Sequence, residues 1–226
     1  MQISPLTIEL LKNFSAINPI FTFDGTDQVL RTQTQLKDLI AHVEIDESLP
    51  EFHIYDLRSF LSTIALVGDN PDFEFTNDTV KLTSTSGKRK ATYAFCSKDL
   101  VDVPKKSANI PPGDLVVELT KENLTSILNA ARTMSVGEIV FQTGADDSVF
   151  LQASAAKSEG NPNTFSLELE ATKSPGAGKS FTFKVESFRF IPATYTVSIS
   201  LKGIAEFKTV LGNGKVLKYW TPVVVS

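Results

Sequence analysis

Hydrophobic positions along the chain follow two rhythms: short stretches at helical spacing, and stretches that alternate residue by residue. Leu57, Leu61 and Ile64 recur at i, i+4 and i+7 with Phe60 and Val67 beside them, while Arg58, Ser59 and Ser62 take the other face. Asp56 can accept from the free N–H groups of a first turn, so the spacing predicts a helix capped by Asp56 and closed by Gly68 and Pro71. Leu6, Leu10, Phe14 and Ile17, with Leu11 alongside, make a similar stripe from Pro5 to Asn18, with Lys12, Glu9 and Ala16 pointing away from it. A third helix is expected from a cap at Thr120 to Met134. Leu124, Ile127, Leu128, Ala131 and Met134 form its apolar face, Thr125, Asn129 and Thr133 line the other side, and Arg132 lies at the edge.

The alternating stretches fill the space between these helices. Residues 21–34 read as a hairpin around Asp24 and Gly25, with a third strand within residues 36–45. Residues 73–75, 80–82 and 92–95 alternate with turns at Asn77-Asp78 and Ser86-Gly87. In the second half, residues 115–119 form a strand, and residues 139–141 and 149–153 make a hairpin around Gly144, Ala145, Asp146 and Asp147. Residues 165–171, 181–185 and 195–201 follow, and Asn213-Gly214 turns a last hairpin into residues 217–225. A short segment, residues 186–191, sits where a second helix of this half belongs, with Arg189 between Phe188 and Phe190.

Each half therefore reads helix, hairpin, third strand, helix, further strands. The expected class is α+β, with antiparallel sheets because hairpin turns join most neighbours. Two similar domains are expected, at 1–104 and 114–226, joined by a connector at 105–113. That connector, KKSANIPPG, carries two prolines that keep it extended. The halves share almost no identity, so the duplication rests on the order of elements.

With 42% hydrophobic and 21% charged residues, the 226-residue chain can build a packed core. A net charge of −4 excludes a uniformly basic nucleic-acid binder but leaves room for a basic surface on an acidic body. The single cysteine, Cys96, makes no intrachain disulfide, which fits a reducing compartment. The first residues lack a basic leader region and meet Glu9 early, and no apolar run approaches bilayer length, so a soluble intracellular protein is expected.

Sites of chemistry are sparse. Residues 174–181, SPGAGKSF, contain the GKS of a phosphate loop, but Lys173 stands where that pattern needs a glycine and a strand-like FTFKV follows. His42 and His53 have no second cysteine or paired carboxylate at ligand spacing, so no metal is expected. Asp24, Asp27, Asp146 and Asp147 sit in glycine turns that favour Asp for local reasons, and Cys96 reads as a structural thiol. No nucleophile elbow or Ser-His-Asp order appears, so neither an enzyme nor a cofactor is expected. What remains is positional: Lys12, Arg58, Arg132 and Arg189 lie on or near the polar side of four expected helices. Taken alone, these cations fit solvated faces better than a binding surface.

Two segments carry a resemblance. ELLKNFSAIN near the N-terminus and IYDLRSFLSTIALVGDNPDFEF in the middle are similar to the first and second helices of DNA polymerase sliding clamps, specifically the processivity factor of contractile-tailed bacteriophages. Length, the prolyl connector and the order of elements agree over nearly the whole chain. The resemblance implies the DNA clamp fold in a homotrimer closed head to tail, a ring of six domains with sheets outside and helices lining the hole. It further implies a clamp loader that opens the ring with ATP, a replicative DNA polymerase tethered by its C-terminal peptide, a role in late transcription in related phages, and action in the cytoplasm of an infected bacterial host. Lys12, Arg58, Arg132 and Arg189 would then face double-stranded DNA. Ile110, Pro111, Pro112 and Tyr219 would wall a partner-peptide pocket beside the connector. Cations on phosphates attract any sequence, and three or four such contacts imply a log–log salt slope of about −3. Subunit joints are expected to use edge strands from opposite domains. The rival reading is a β-rich virion subunit of a tail or baseplate, which has no need of cations gathered on helices.

Overall fold

The computed structural model describes residues 1–101, 104, 110–145, 148–156 and 160–226. Lys105 and its neighbours to 109 in the expected connector, and Asp146 and Asp147 of the expected turn, lie outside the described residues. The chain divides into two compact units, Met1–Ser107 and Ala108–Ser226.

The first unit runs α1 (Pro5–Ile17), β1 (Phe21–Phe23), β2 (Val29–Gln33), β3 (Ile40–Glu44), β4 (Phe52–Ile54), α2 (Leu57–Val67), β5 (Asp72–Phe75), β6 (Thr79–Thr83) and β7 (Lys90–Ala94). Both helices start where the polar caps demand. Ser4 accepts from the Thr7 N–H, and Asp56 accepts from the N–H groups of Arg58 and Ser59. The Glu47 carboxylate secures α1 from outside by accepting from the Ser4 N–H at 2.7 Å and the Thr7 hydroxyl at 2.9 Å. Burial raises the Glu47 pKa, but these hydrogen bonds outweigh it and hold the carboxyl below its ordinary range. β5, β6 and β7 form an antiparallel meander that pairs Val80 with Tyr93 and Leu82 with Ala91. Phe52 centres the core, with the rings of Phe21, Phe23, Phe75 and Phe95 between 5.5 and 6.1 Å away.

The hairpin expected over residues 21–34 does not form. β1 pairs instead with β4, an unforeseen strand, setting Phe21 opposite Ile54, while β2 pairs with β3. The cause lies between them. Gln28 adopts a left-handed φ of 51°, and its side-chain amide donates to the Gly25 and Leu49 carbonyls and accepts from the Leu49 N–H. Residues 24–28 thereby become a wide loop tied to residue 49 and not a tight turn. Gly25, at φ 71°, lies so close to this segment that a Cβ would meet the Glu51 nitrogen at 2.9 Å.

The second unit runs β8 (Leu115–Leu119), α3 (Lys121–Met134), β9 (Glu138–Thr143), β10 (Ser148–Ser154), β11 (Thr164–Lys173), β12 (Ser180–Lys184), β13 (Tyr195–Ser200), β14 (Ile204–Val210), β15 (Val216–Pro222) and β16 (Val224–Val225). Its strands pair in the order β16-β12-β9-β10-β11-β8-β13-β14-β15, antiparallel throughout. Thr120 caps α3 by accepting from the Asn123 N–H, and buried Leu124, Ile127 and Ala131 turn towards β9, β10 and β11. The GKS segment is a turn: the Gly178 N–H donates to the Thr143 carbonyl, and β12 follows directly.

The helix expected over residues 186–191 is absent. A single 3-10 turn covers Val185–Ser187, after which the chain extends. Phe188 and Phe190, two positions apart, both enter the core, a spacing that suits an extended chain and that a helix would split between faces. Pro192 also disfavours helical geometry at Ile191. Among the described residues the second unit therefore holds one α-helix. No helix among them is long and apolar enough to cross a membrane.

Candidate nucleic-acid interface

In the first unit α1 packs against α2, and this brings Lys12 and Arg58 onto neighbouring helices, both exposed. Arg58 Nε donates to the Ser15 carbonyl at 3.4 Å, fastening its stem to the C-terminal part of α1. Ser62 and Thr63 turn their hydroxyls back onto the Arg58 and Ser59 carbonyls, so the first two turns of α2 present short polar side chains and no carboxylate outward, with exposed Leu66 following in the last turn. A cavity of about 220 Å³ separates the helices along their apolar flank, with Lys12 at its rim and Leu61, Ile64 and Ala65 in its wall.

Arg132 is exposed near the end of α3, beside Thr133 and Asn129, as its place on the helix predicts. Arg189 is exposed too, but it leaves no helix face, because its segment is extended between the buried Phe188 and Phe190. Ile110 and Pro111 are half-buried and Pro112 is exposed. Just beyond them the chain is pinned at the start of β8. A Cβ on Gly113 would overlap the Ser198 hydroxyl at 2.0 Å, and the Asp114 N–H donates to the Ile199 carbonyl at 2.8 Å.

Tyr219 does not belong with them. It is 0% exposed, its ring stacks on Phe190 at 4.5 Å, and its hydroxyl accepts from the Ile191 N–H at 3.3 Å. Burial pushes the phenols of Tyr219 and Tyr195 well above the ordinary range. The expectation that Tyr219 walls a peptide pocket is corrected on this ground: β15 alternation turns it inward, leaving no surface for a ligand. Cys96 is half-buried and burial raises its thiol, which fits a structural role.

Charge separates by element type. The three helices carry four cations (Lys12, Arg58, Lys121, Arg132) against two carboxylates (Glu9, Glu122), whereas the rest of the chain holds 18 against 24. The acidic excess thus resides in strands and loops, and the helices are net positive. Two cationic features escaped the sequence reading. Lys121 opens α3, and Lys88, Arg89 and Lys90 lie consecutively at the turn into β7. Arg89 Nη1 reaches the Leu66 carbonyl at 3.4 Å, placing a cation at the end of α2, whose own last turn has none. The run KRK after Gly87 was the available signal.

Antiparallel sheets backed by helices that together are net positive define a class of fold: the chain has the fold of the DNA clamps. It aligns with the PCNA2–PCNA3 complex from Sulfolobus tokodaii at a TM-score of 0.71 and 14% identity, covering 96% of this chain and 95% of that one. Proliferating cellular nuclear antigen from Entamoeba histolytica gives 0.68 at 16% identity, covering 97% and 95%. The sequence narrows the likeness, for the chain is similar to the sliding clamps of several phages. It is 29% identical over 211 residues to the sliding clamp of Vibrio phage KVP40, spanning 92% of this chain and 94% of that protein. The sliding clamp of Escherichia phage RB69 is 23% identical over 203 residues, covering 88% and 87%, and that of Enterobacteria phage T4 is 27% identical over 142 residues, covering 62% and 60%. No protein-family model matches the chain. The resemblance carried by the α1 and α2 segments accordingly extends over almost the full length.

Proposed function

We propose that the chain is a DNA sliding clamp, a non-enzymatic subunit that encircles duplex DNA and tethers the replicative polymerase of a phage inside its bacterial host. The observation that carries this reading is the positive balance of the helices in a clamp fold whose remaining residues are acidic. Two clamp domains lie either side of a connector within residues 105–113, and three chains close head to tail. Lys12, Arg58 and Arg132 then repeat around one channel, each touching backbone phosphate without reading bases. Arg189 joins them only as a cation on an extended segment. Few, exposed, replaceable contacts suit movement along the duplex, and enclosure supplies the retention that affinity does not.

The finer partners follow the same reading. A clamp loader opens the ring with ATP, and the C-terminal peptide of the polymerase docks beside Ile110, Pro111 and Pro112. A part in late transcription is the regulatory extension of that tether. The discriminating experiment is topological. Loaded protein is expected to persist on nicked circular DNA and to leave once the circle is cut to a linear form. Equal retention on both forms would overturn enclosure in favour of ordinary binding.

A further inference from the structure

The two faces of β7 meet different surroundings. The Tyr93 hydroxyl donates to the Asp56 carbonyl at 3.1 Å and its ring lies 5.2 Å from that of Phe60, so the odd-numbered side chains of β7 face α2. Arg89 continues that face. The Ser84 N–H donates to the Arg89 carbonyl at 2.9 Å, and the Arg89 N–H donates to the Ser84 hydroxyl at 3.0 Å, so the ladder of β6 and β7 runs on through it. Arg89 Nη1 donates to the Leu66 carbonyl at 3.4 Å, and a Cβ on Gly68 would lie 3.3 Å from Nη2. The guanidinium therefore covers the C-terminal end of α2. Lys90, the next residue along β7, is exposed and alternates to the opposite face, away from the helix.

At the end of a helix the last carbonyls lack intrahelical partners and the macrodipole is negative. The last turn of α2 holds no basic residue, Leu66 there is exposed, and exposed Asp69 follows. Left to itself this end would repel phosphate, and Arg89 reverses the sign. The Leu66 carbonyl takes one donor of a side chain that has five, is always charged and matches phosphate with two parallel N–H groups. Arg89 is itself exposed, and no described carboxylate forms an ion pair with it. Residues 58 and 66 lie about 12 Å apart along the axis of α2. That exceeds the screening length of about 8 Å at physiological salt, so Arg58 and Arg89 at the two ends of the helix can act on separate phosphates. Lys12 stands at the rim of the cavity that Gly68 also lines.

We infer that Arg89, carried by a strand turn and not by a helix, is a further phosphate-contacting residue for duplex DNA, held in position by the carbonyl end of α2. The inference rests on the clamp reading proposed above and adds to it a cation that no helical wheel assigns. The run Lys88-Arg89-Lys90 is thereby divided by face: Arg89 works with α2, and Lys90 makes no such contact.

The test compares R89Q with K90Q in the full chain, since each removes one charge from adjacent positions. The readout is the log–log salt slope of association with a short duplex, with circular dichroism and native mass spectrometry as checks on folding and assembly. R89Q is expected to lower the magnitude of the slope by about 1, R89K to keep it, and K90Q to leave it at the wild-type value. A folded and assembled R89Q with the wild-type slope, or a K90Q that lowers the slope equally, would overturn the inference. If R89Q folds or assembles poorly, the wild-type chain answers the same question through phenylglyoxal modification of its arginines, mapped by peptide mass spectrometry with and without duplex. DNA is expected to protect Arg89 together with Arg58. Protection of Arg58 without Arg89 would overturn this inference alone, and protection of neither would overturn the DNA-facing surface proposed above.

Discussion

Arg58 Nε and the Ser15 carbonyl, 43 residues apart in sequence, lie 3.4 Å from one another and fix the side of α2 that carries Arg58 against the end of α1. Lys12 and Arg58 are thus exposed on two helices that pack together. Replacing both by alanine removes two cations per chain without touching a buried residue. The oligomer is expected to persist, while the magnitude of the log–log salt slope of DNA association falls by about 1 to 2. Loss of the oligomer on native mass spectra would assign these residues to packing.

Asp27 provides a pH readout in the first unit. Its carboxylate pairs with the Arg31 guanidinium, which is 8% exposed, and that hydrogen bond holds the Asp27 pKa below its ordinary value near 3.8. A depressed folded pKa means that the stabilisation is complete above the unfolded value and fades as pH falls through the folded one. Asp27→Asn is expected to cost about 2 kcal/mol at pH 7, a figure below that of a fully buried pair because the Asp27 side chain is 36% exposed. The gap between wild type and variant narrows below about pH 4. Urea melts at pH 7 and pH 3 measure both quantities. A gap that widens in acid would contradict the assignment.

Tyr219 separates a core role from a pocket role. Tyr219→Ala opens a void beside Phe190 and is expected to destabilise the second unit by about 3–5 kcal/mol. Tyr219→Phe keeps the stacking and loses only the acceptor for the Ile191 N–H, at about 1 kcal/mol. Affinity of the folded phenylalanine variant for a polymerase C-terminal peptide is expected to match the wild type. A selective loss of peptide binding with unchanged stability would return Tyr219 to the pocket.

Asp56 sets the start of α2. Asp56→Ala leaves the N–H groups of Arg58 and Ser59 without their side-chain acceptor and is expected to cost about 1 kcal/mol, and Asp56→Ser is expected to recover most of it. Thermal denaturation checks the pair. Equal melting temperatures for the alanine variant and the wild type would show that tertiary contacts alone hold this end.

Gly25 tests the loop that displaced the expected hairpin. A side chain there meets the Glu51 backbone at 2.9 Å and must also hold a φ of 71°. Gly25→Ala is expected to destabilise by about 2 kcal/mol or more, combining left-handed strain with a clash against backbone. Had residues 21–34 formed a free-standing hairpin, the loss would be confined to the φ term.

The sequence by itself determined α1, α2 and α3 and the class of fold, since these are written in local periodicity and caps. Leu57, Leu61 and Ile64 above Asp56 leave little choice of conformation or of buried side, and the same holds for α1 and α3. The cations Lys12, Arg58 and Arg132 were legible for that reason, because a helical wheel assigns their face. Only the tertiary structure decided which strands became neighbours. Alternation tells a residue which face to take, but the partner across the ladder is chosen by distant contacts such as Gln28 with Leu49, which sent β1 to β4. The aromatic core of the second unit likewise settled what local spacing left open. Burying Phe188, Phe190 and Tyr219 together outweighs one short helical turn, so the segment around Arg189 extends and Tyr219 turns inward.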